Sequence, residues 1–199
     1  MGIVQEKGWL SSSRPVVFVV GLPGVGKTTL AQFLARDLDT VCINSGDALR
    51  SYLRRKNVEL ENVIETGTVF LRRFGEPAVG PAIMHEADEV GARILDGPRL
   101  FSTLTHYEQT GREVFVVQLT AGEAVRRSRF SARSIYEGEA TPENVDVLLK
   151  QKDEWGKDLN QFAALSRWKF DNSGSIERLE AFASTIVGDL SVEPRWASS

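Results

Sequence analysis

At 199 residues the chain has room for one α/β domain with a sizeable core and is too short for two domains with independent cores. Hydrophobic residues make up 42% and charged residues 26%, which excludes the low-hydrophobicity composition of a disordered chain. The formal net charge of −3 excludes a protein that coats nucleic acid through general basicity, and leaves room for a local basic groove.

Met1–Arg14 is polar and holds Ser11, Ser12 and Ser13 in a row; with Val192–Ser199 it reads as a loose end. Met1–Leu10 lacks a basic region followed by an apolar stretch, and no run approaches the ~18 apolar residues of a membrane span. A cytoplasmic protein without membrane contact is therefore expected. The one cysteine, Cys42, rules out an internal disulfide and a cysteine metal cluster, and a reducing compartment fits. Short apolar runs at Val16–Val20, Val41–Ile43, Ile94–Leu95 and Val114–Leu119, with a weaker one at Trp168–Phe170, predict buried parallel strands. Helical spacing occupies Thr28–Leu38, Asp47–Arg55, Pro81–Val90, Ala121–Ala132, Pro142–Leu165 and Ile176–Val187. The alternation predicts an α/β fold, a doubly wound five-stranded parallel sheet with helices on both faces, and places ligands at the carboxyl ends of its strands.

The first strand runs into Gly21-Leu22-Pro23-Gly24-Val25-Gly26-Lys27-Thr28-Thr29, the G-x-x-x-x-G-K-T pattern between a strand and a helix. Gly21, Gly24 and Gly26, with Val25 between them, let the backbone curl so that successive N–H groups and the helix dipole face phosphates. Lys27 then reaches the β- and γ-phosphates, Thr28 ligates magnesium and Thr29 supports an α-phosphate oxygen. ATP and Mg²⁺ are the expected cofactors. GTPases, motors and kinases all carry this loop, so the rest of the chain decides among them.

After the second strand comes Asn44-Ser45-Gly46-Asp47-Ala48-Leu49-Arg50. Asp47 and Arg50 stand a turn apart on one helical face, so a carboxylate and a guanidinium can address one acceptor. The plain alternative is that Asp47 caps the helix and Arg50 points into solvent. The third strand ends in Arg93-Ile94-Leu95-Asp96-Gly97-Pro98-Arg99, which delivers Asp96 at the strand tip, where a carboxylate holds magnesium through its water shell; capping the next turn is the alternative.

Arg126, Arg127, Arg129 and Arg133 follow the fourth strand with no acid among them, and Arg126, Arg129 and Arg133 share one helical face. Such a run is a solvated face, or, because like charges repel, a place where an anion sits. Ser134–Thr141 reads as a short flexible lid, within a lid region of about 126–142. Asp171-Asn172-Ser173-Gly174-Ser175 is either an ordinary strand-to-helix turn or the border of a base site.

Together these motifs resemble the P-loop kinases of the nucleoside monophosphate kinase-like superfamily, in which a Ser/Thr-Gly-Asp-x-x-Arg segment follows the second strand. Adenylate kinases carry Asp-Gly-Phe-Pro-Arg where this chain has the shorter Asp96-Gly97-Pro98-Arg99. Polynucleotide kinases carry a similar Asp-x-x-Arg. Val79-Gly80-Pro81-Ala82-Ile83 and Asp96–Arg99 also resemble an archaeal group related to dephospho-coenzyme A kinases. The resemblance covers roughly Val16 to Val187, with a core of about 15–188 and an acceptor-binding insertion of about 47–90. It implies that Arg50 and Arg99 grip the acceptor beside Asp47, which becomes the base when the acceptor is a hydroxyl. It further implies that Arg129 and Arg133 close over ATP and stabilise the transferred group, and that Ser173 and Gly174 border adenine.

Arg50, Arg54, Arg55, Lys56, Arg72 and Arg73, interleaved with Tyr52, Phe70 and Phe74, read as a site for one phosphate and one base, as a track for a nucleic-acid strand, or as solvated arginines beside core aromatics. The expected activity is transfer of the γ-phosphate of ATP to a nucleotide-type acceptor, with a nucleoside or deoxynucleoside monophosphate placed first. A hydroxyl on DNA, at a 5′ end or a hydroxymethylated base, or on dephospho-coenzyme A is the second reading. A regulatory NTPase switch is the third, and no water-positioning residue stands out for it. No oligomeric state follows.

Overall fold

The computed structural model describes residues 15–60, 66–138, 140–154, 156 and 158–193. The segments read as loose ends fall at 1–14 and, for the most part, 194–199, outside the described residues. Strands β1 (Val16–Val20), β2 (Val41–Asn44), β3 (Ala92–Asp96), β4 (Val114–Thr120) and β5 (Trp168–Asp171) form one parallel sheet in the order β2-β3-β1-β4-β5. Between and around them lie α1 (Lys27–Asp37), α2 (Ser45–Arg55), α3 (Thr66–Phe74), α4 (Val79–Glu89), α5 (Phe101–Gln109), α6 (Glu123–Tyr136), α7 (Val145–Glu154), α8 (Leu159–Leu165) and α9 (Ile176–Ser191).

Strand β1 is apolar without alternation because both of its faces are covered. Val17 and Val19 meet Leu30 and Leu34 of α1 and Leu179 and Ile186 of α9 on one face. Val16, Phe18 and Val20 meet Leu53 of α2, Ile83 of α4, Leu104 of α5 and Phe162 of α8 on the other. The expected five-stranded, doubly covered sheet is thus present. From β1 the chain leaves toward β2, and from β3 it leaves toward β4, so the crevice beside the carboxyl ends of β1 and β3 is where a ligand fits. Among the described residues no helix is long and apolar enough to cross a membrane.

Four stretches depart from the expectation. Helices α3 and α5 form where none was expected: α3 holds Thr, Val and Phe, weak helix formers, but Phe70 is fully buried on Tyr52 and Phe74. In α5, buried Thr103, Leu104 and Tyr107 do the same work against the sheet. The single helix expected over Pro142–Leu165 is two, α7 and α8, parted at the turn that holds Gly156. The stretch expected to be flexible, Ser134–Thr141, is helical as far as Tyr136, and Ser134 is fully buried.

The segment Val79-Gly80-Pro81-Ala82-Ile83 opens α4 and serves helix packing: a Cβ on Gly80 would lie 2.7 Å from the Cβ of His106 on α5. Replacing Gly80 by Val should therefore lower the stability of the fold by about 1–3 kcal/mol through overpacking. Urea unfolding of the variant checks this, and an unchanged midpoint would show that the α4–α5 contact yields without strain.

Candidate active site

The phosphate loop joins β1 to α1, and its last glycine is dictated by both backbone and neighbour. Gly26 has φ of 93°, and a Cβ there would lie 2.4 Å from Asn172 Nδ2. Asn172 is buried and donates from Nδ2 to the carbonyl of Val25 at 2.9 Å, so the loop is fastened to the turn after β5. The ammonium of Lys27 curls back over the loop and donates to the carbonyl of Leu22 at 3.0 Å. Gly97, with φ of 70°, leaves room for this side chain, since a Cβ there would lie 3.3 Å from Lys27 Cε.

Burial lowers the pKa of Lys27 to about 8; Asp96 opposes the shift, while Arg99, Arg133 and Arg126 reinforce it. Arg99 is exposed by area, yet the protein around its guanidinium, with the charge of Arg133, lowers its pKa as well, against the pull of Asp153 and Asp96. Three of the expected cationic residues, Lys27, Arg99 and Arg133, therefore converge closely enough to disfavour one another's charge. An anion placed among them relieves that repulsion.

Opposite them stands Asp96, buried at the tip of β3. Its Oδ2 accepts from Thr28 Oγ1 at 2.7 Å and from Asn44 Nδ2 at 3.0 Å, and its carbonyl accepts from Ser45 Oγ at 2.7 Å. Its Oδ1 is buried without a hydrogen-bond partner among the described residues, a costly state that an ion or its water would relieve. No group of three or more His, Cys, Asp or Glu that could hold a metal occurs among the described residues. One carboxylate and one hydroxyl, both hard oxygen donors, fit magnesium, which keeps waters and takes phosphate oxygens for the rest.

At the head of α2 the capping residue is Asn44, whose Oδ1 accepts from the N–H groups of Gly46 at 2.9 Å and Asp47 at 3.4 Å. Asp47 is thereby released from the capping role considered for it. Its carboxylate is 64% exposed and pairs with Arg50, which also contacts Thr66 Oγ1 at 3.5 Å. The interleaved aromatics are no open platform. Tyr52, Phe70 and Phe74 pack on one another at centroid distances of 5.7, 5.8 and 5.1 Å, and the Lys56 ammonium sits 5.4 Å from the Tyr52 ring.

The arginine run of α6 has partners that its own sequence did not reveal. Arg126 forms a bidentate pair with Asp153 at 3.0 and 2.8 Å, Arg127 pairs with Asp146, and Arg133 lies 3.5 Å from Glu137. The inference that four arginines lack acids and need an anion is therefore corrected: α7 and the next turn supply the acids. Arg129 alone of the four faces the turn after β5, donating to the carbonyls of Asn172 at 2.6 Å and Gly174 at 3.1 Å. With Gly26, Thr29, Asn172, Ile176 and Leu179 it lines a cavity of ≈ 230 Å³. Ser173 ties the loop down instead, its Oγ accepting from the N–H of Gly122 at 2.9 Å.

Residues 17–151 match the family described as AAA domain. The chain belongs to that family. It is 28% identical over 172 residues to a UPF0200 protein of Aeropyrum pernix, covering 85% of this chain and 90% of that protein. It is 29% identical over 139 residues to the shikimate kinase of Mycobacterium marinum, covering 69% and 73% respectively. A solved shikimate kinase from Bacteroides thetaiotaomicron shares the fold, with a TM-score of 0.56 at 19% identity over 89% of this chain and 99% of that one.

Asn44, Gly97 and Asn172 lie in segments the sequence singled out, but no role had been given to them. An Asn between strand and helix is a recognisable cap; its bond to Asp96, 52 residues away, is not.

The lowered pKa of Lys27 generates a measurable consequence. Near pH 8 part of the free protein carries a neutral Lys27, and phosphates favour the charged form, so ATP binding should take up roughly half a proton. Calorimetry in buffers of different ionisation enthalpy reads this directly. The uptake should shrink toward pH 7 and vanish in Lys27→Arg, which stays charged; buffer-independent heats in the wild type at pH 8 would contradict the burial of the ammonium.

Proposed function

We propose that the chain is a kinase that transfers the γ-phosphate of ATP to a hydroxyl on a nucleotide-type acceptor. The observation that carries this reading is the Asp47–Arg50 pair, in which an exposed Asp47 meets a half-buried Arg50 at the head of α2, joined through Asn44 to the buried Asp96. A monophosphate acceptor would bring a second anion beside Asp47, whose charge already offsets Arg50. A hydroxyl acceptor instead presents a proton that an exposed carboxylate can take. Relatives named kinases support phosphoryl transfer as the reaction.

In this mechanism the adenine occupies the cavity beside Arg129, Thr29 and Asn172, and the triphosphate lies along Val25, Gly26 and Lys27. Thr28 and, through water, Asp96 would hold magnesium, which supplies charge neutralisation across the phosphate oxygens. Asp47 takes the proton of the acceptor hydroxyl as its oxygen bonds to the γ-phosphorus and the bond to ADP breaks. Lys27, Arg99 and Arg133 stabilise the charge spread over the transferred group. Arg50 orients the acceptor beside Asp47. The monophosphate reading keeps one observation in its favour, the cationic Arg99 close to Arg133, and would need Arg50 to exchange Asp47 for the incoming phosphate.

The deciding experiment incubates the protein with labelled ATP and separate pools of nucleoside monophosphates, coenzyme A precursors, and modified and unmodified oligonucleotides. Label is expected in a hydroxyl acceptor; slow ATP hydrolysis with no labelled acceptor would point to a regulatory NTPase. On the acceptor so found, Asp47→Asn should lower kcat by roughly 10²–10⁴-fold with little change in acceptor KM. Arg50→Ala should mainly raise that KM. A negligible effect of Asp47→Asn on a hydroxyl acceptor rules the carboxylate out as base.

A further inference from the structure

Among the described arginines, the side chains of Arg54, Arg72 and Arg73 stand apart in making no hydrogen bond, ion pair or ring contact. Elsewhere this acidic chain pairs its guanidinium groups: Arg36 with Asp37 and Glu180, Arg112 with Asp88, Arg126 with Asp153, Arg127 with Asp146 and Arg167 with Glu193. Arg55, a neighbour of the three, is itself drawn to Glu86 at 3.2 Å and Glu89 at 3.6 Å. The unpaired three are all exposed and all on α2 and α3.

Their placement follows the acceptor pair. Asp47, Arg50 and Arg54 are spaced by three and four residues and form one stripe along α2, so Arg54 stands about 6 Å beyond Arg50 on the line that begins at the reacting carboxylate. Arg72 and Arg73 precede Phe74, which packs edge-on against Tyr52, and Lys56 covers the Tyr52 ring. Arg54 thus extends the Asp47–Arg50 stripe of α2, and Arg72 and Arg73 stand exposed on α3, which packs against α2. A mononucleotide gripped at Arg50 has no further charge to offer them, whereas a strand brings a phosphate with every nucleotide.

We infer that the exposed arginines of α2 and α3 bind the phosphate backbone of a single nucleic-acid strand and lead its hydroxyl-bearing nucleotide to Asp47. The inference rests on the hydroxyl-kinase reading above for the position of the reacting end. The aromatic side chains of Tyr52, Phe70 and Phe74 are engaged with one another and with Lys56, so bases find no stacking surface on them. Recognition is therefore by phosphates and independent of sequence.

The test uses the full chain and fluorescein-labelled single strands of DNA and of RNA, about 12 nucleotides long, followed by fluorescence anisotropy over a salt series. Wild-type affinity should fall with salt, and the triple variant Arg54→Ser, Arg72→Ser, Arg73→Ser should reduce the slope of log K against log salt by about 2, at ~0.7 per phosphate contact on a single strand. Binding should change little between oligonucleotides of different sequence. ATP binding by the variant, measured alongside, confirms that it is folded.

An unchanged slope in a variant that binds ATP normally overturns the inference, as does poly-glutamate displacing the oligonucleotide at equal charge concentration, which would mark an acidic polypeptide as the partner. Because the anisotropy arm needs no turnover, oligonucleotide binding that is lost in the variant supports the surface even where no acceptor takes label. Phosphorylation of a free nucleoside or nucleotide, with no oligonucleotide bound, overturns the surface and leaves the kinase reading in place.

Discussion

Asp96, buried at the tip of β3, is the point at which the phosphate loop and the head of α2 are fastened together. A carboxylate removed from water is costly unless its oxygens are satisfied; here Thr28 of α1 and Asn44 at the end of β2 both meet Oδ2, Ser45 of the first turn of α2 meets the backbone carbonyl, and Oδ1 is left for an ion or its water. The contacts depend on the sheet register, in which Asp96 stands beside Val19 of β1 and Asn44 of β2. A slip of one residue in either pairing would turn the carboxylate to the other face of the sheet and dissolve the site without changing its residues.

A second fastening acts on the base side. Asn172 receives Arg129 on its carbonyl, donates its amide to the phosphate loop and leaves no space for a side chain at position 26. The phosphate loop is thus held from two directions, by Asp96 through Thr28 and by Asn172 through Val25, and Lys27 lies between them. Such prior positioning is what phosphoryl transfer requires, since the protein contributes mainly geometry and fixed charge rather than covalent chemistry. The four arginines of α6 divide along the same line. Arg126 and Arg127 hold α7 in place through Asp153 and Asp146, while Arg129 turns to the loop after β5 and Arg133 lies near enough to Lys27 to disfavour its charge.

What was legible in the sequence was what local sequence encodes. The phosphate loop, the five strands, and the placing of Asp96 at the end of β3 and Asp47 just after β2 follow from contiguous patterns that chemistry restricts to few residue types. What was not legible depends on partners far along the chain. The acids that neutralise α6 lie on another helix, 19 and 27 residues away, so counting acids within the run gave the wrong electrostatics. Helix α3 is built from weak helix formers and exists because Phe70 is buried, a tertiary effect that propensity does not report. The Val79–Ile83 segment carried a family likeness and a packing role, and only the close approach of His106 to Gly80 separates the two.

Asn44 shows how a single planar group can set the distance between two chemistries. Hydrogen-bond logic fixes its orientation, because the oxygen must face the N–H groups of Gly46 and Asp47 and the nitrogen must face a carboxylate. Ser at this position would cap the helix equally well, yet its shorter side chain has no second group to send to Asp96. Asp would cap it too, and would set one carboxylate against another. The rigid amide meets both demands and leaves little freedom between them. The separation between the carboxylate suited to magnesium and the first turn of α2 is therefore fixed by one side chain, and Asp47 and Arg50 inherit their distance from the phosphate loop through it.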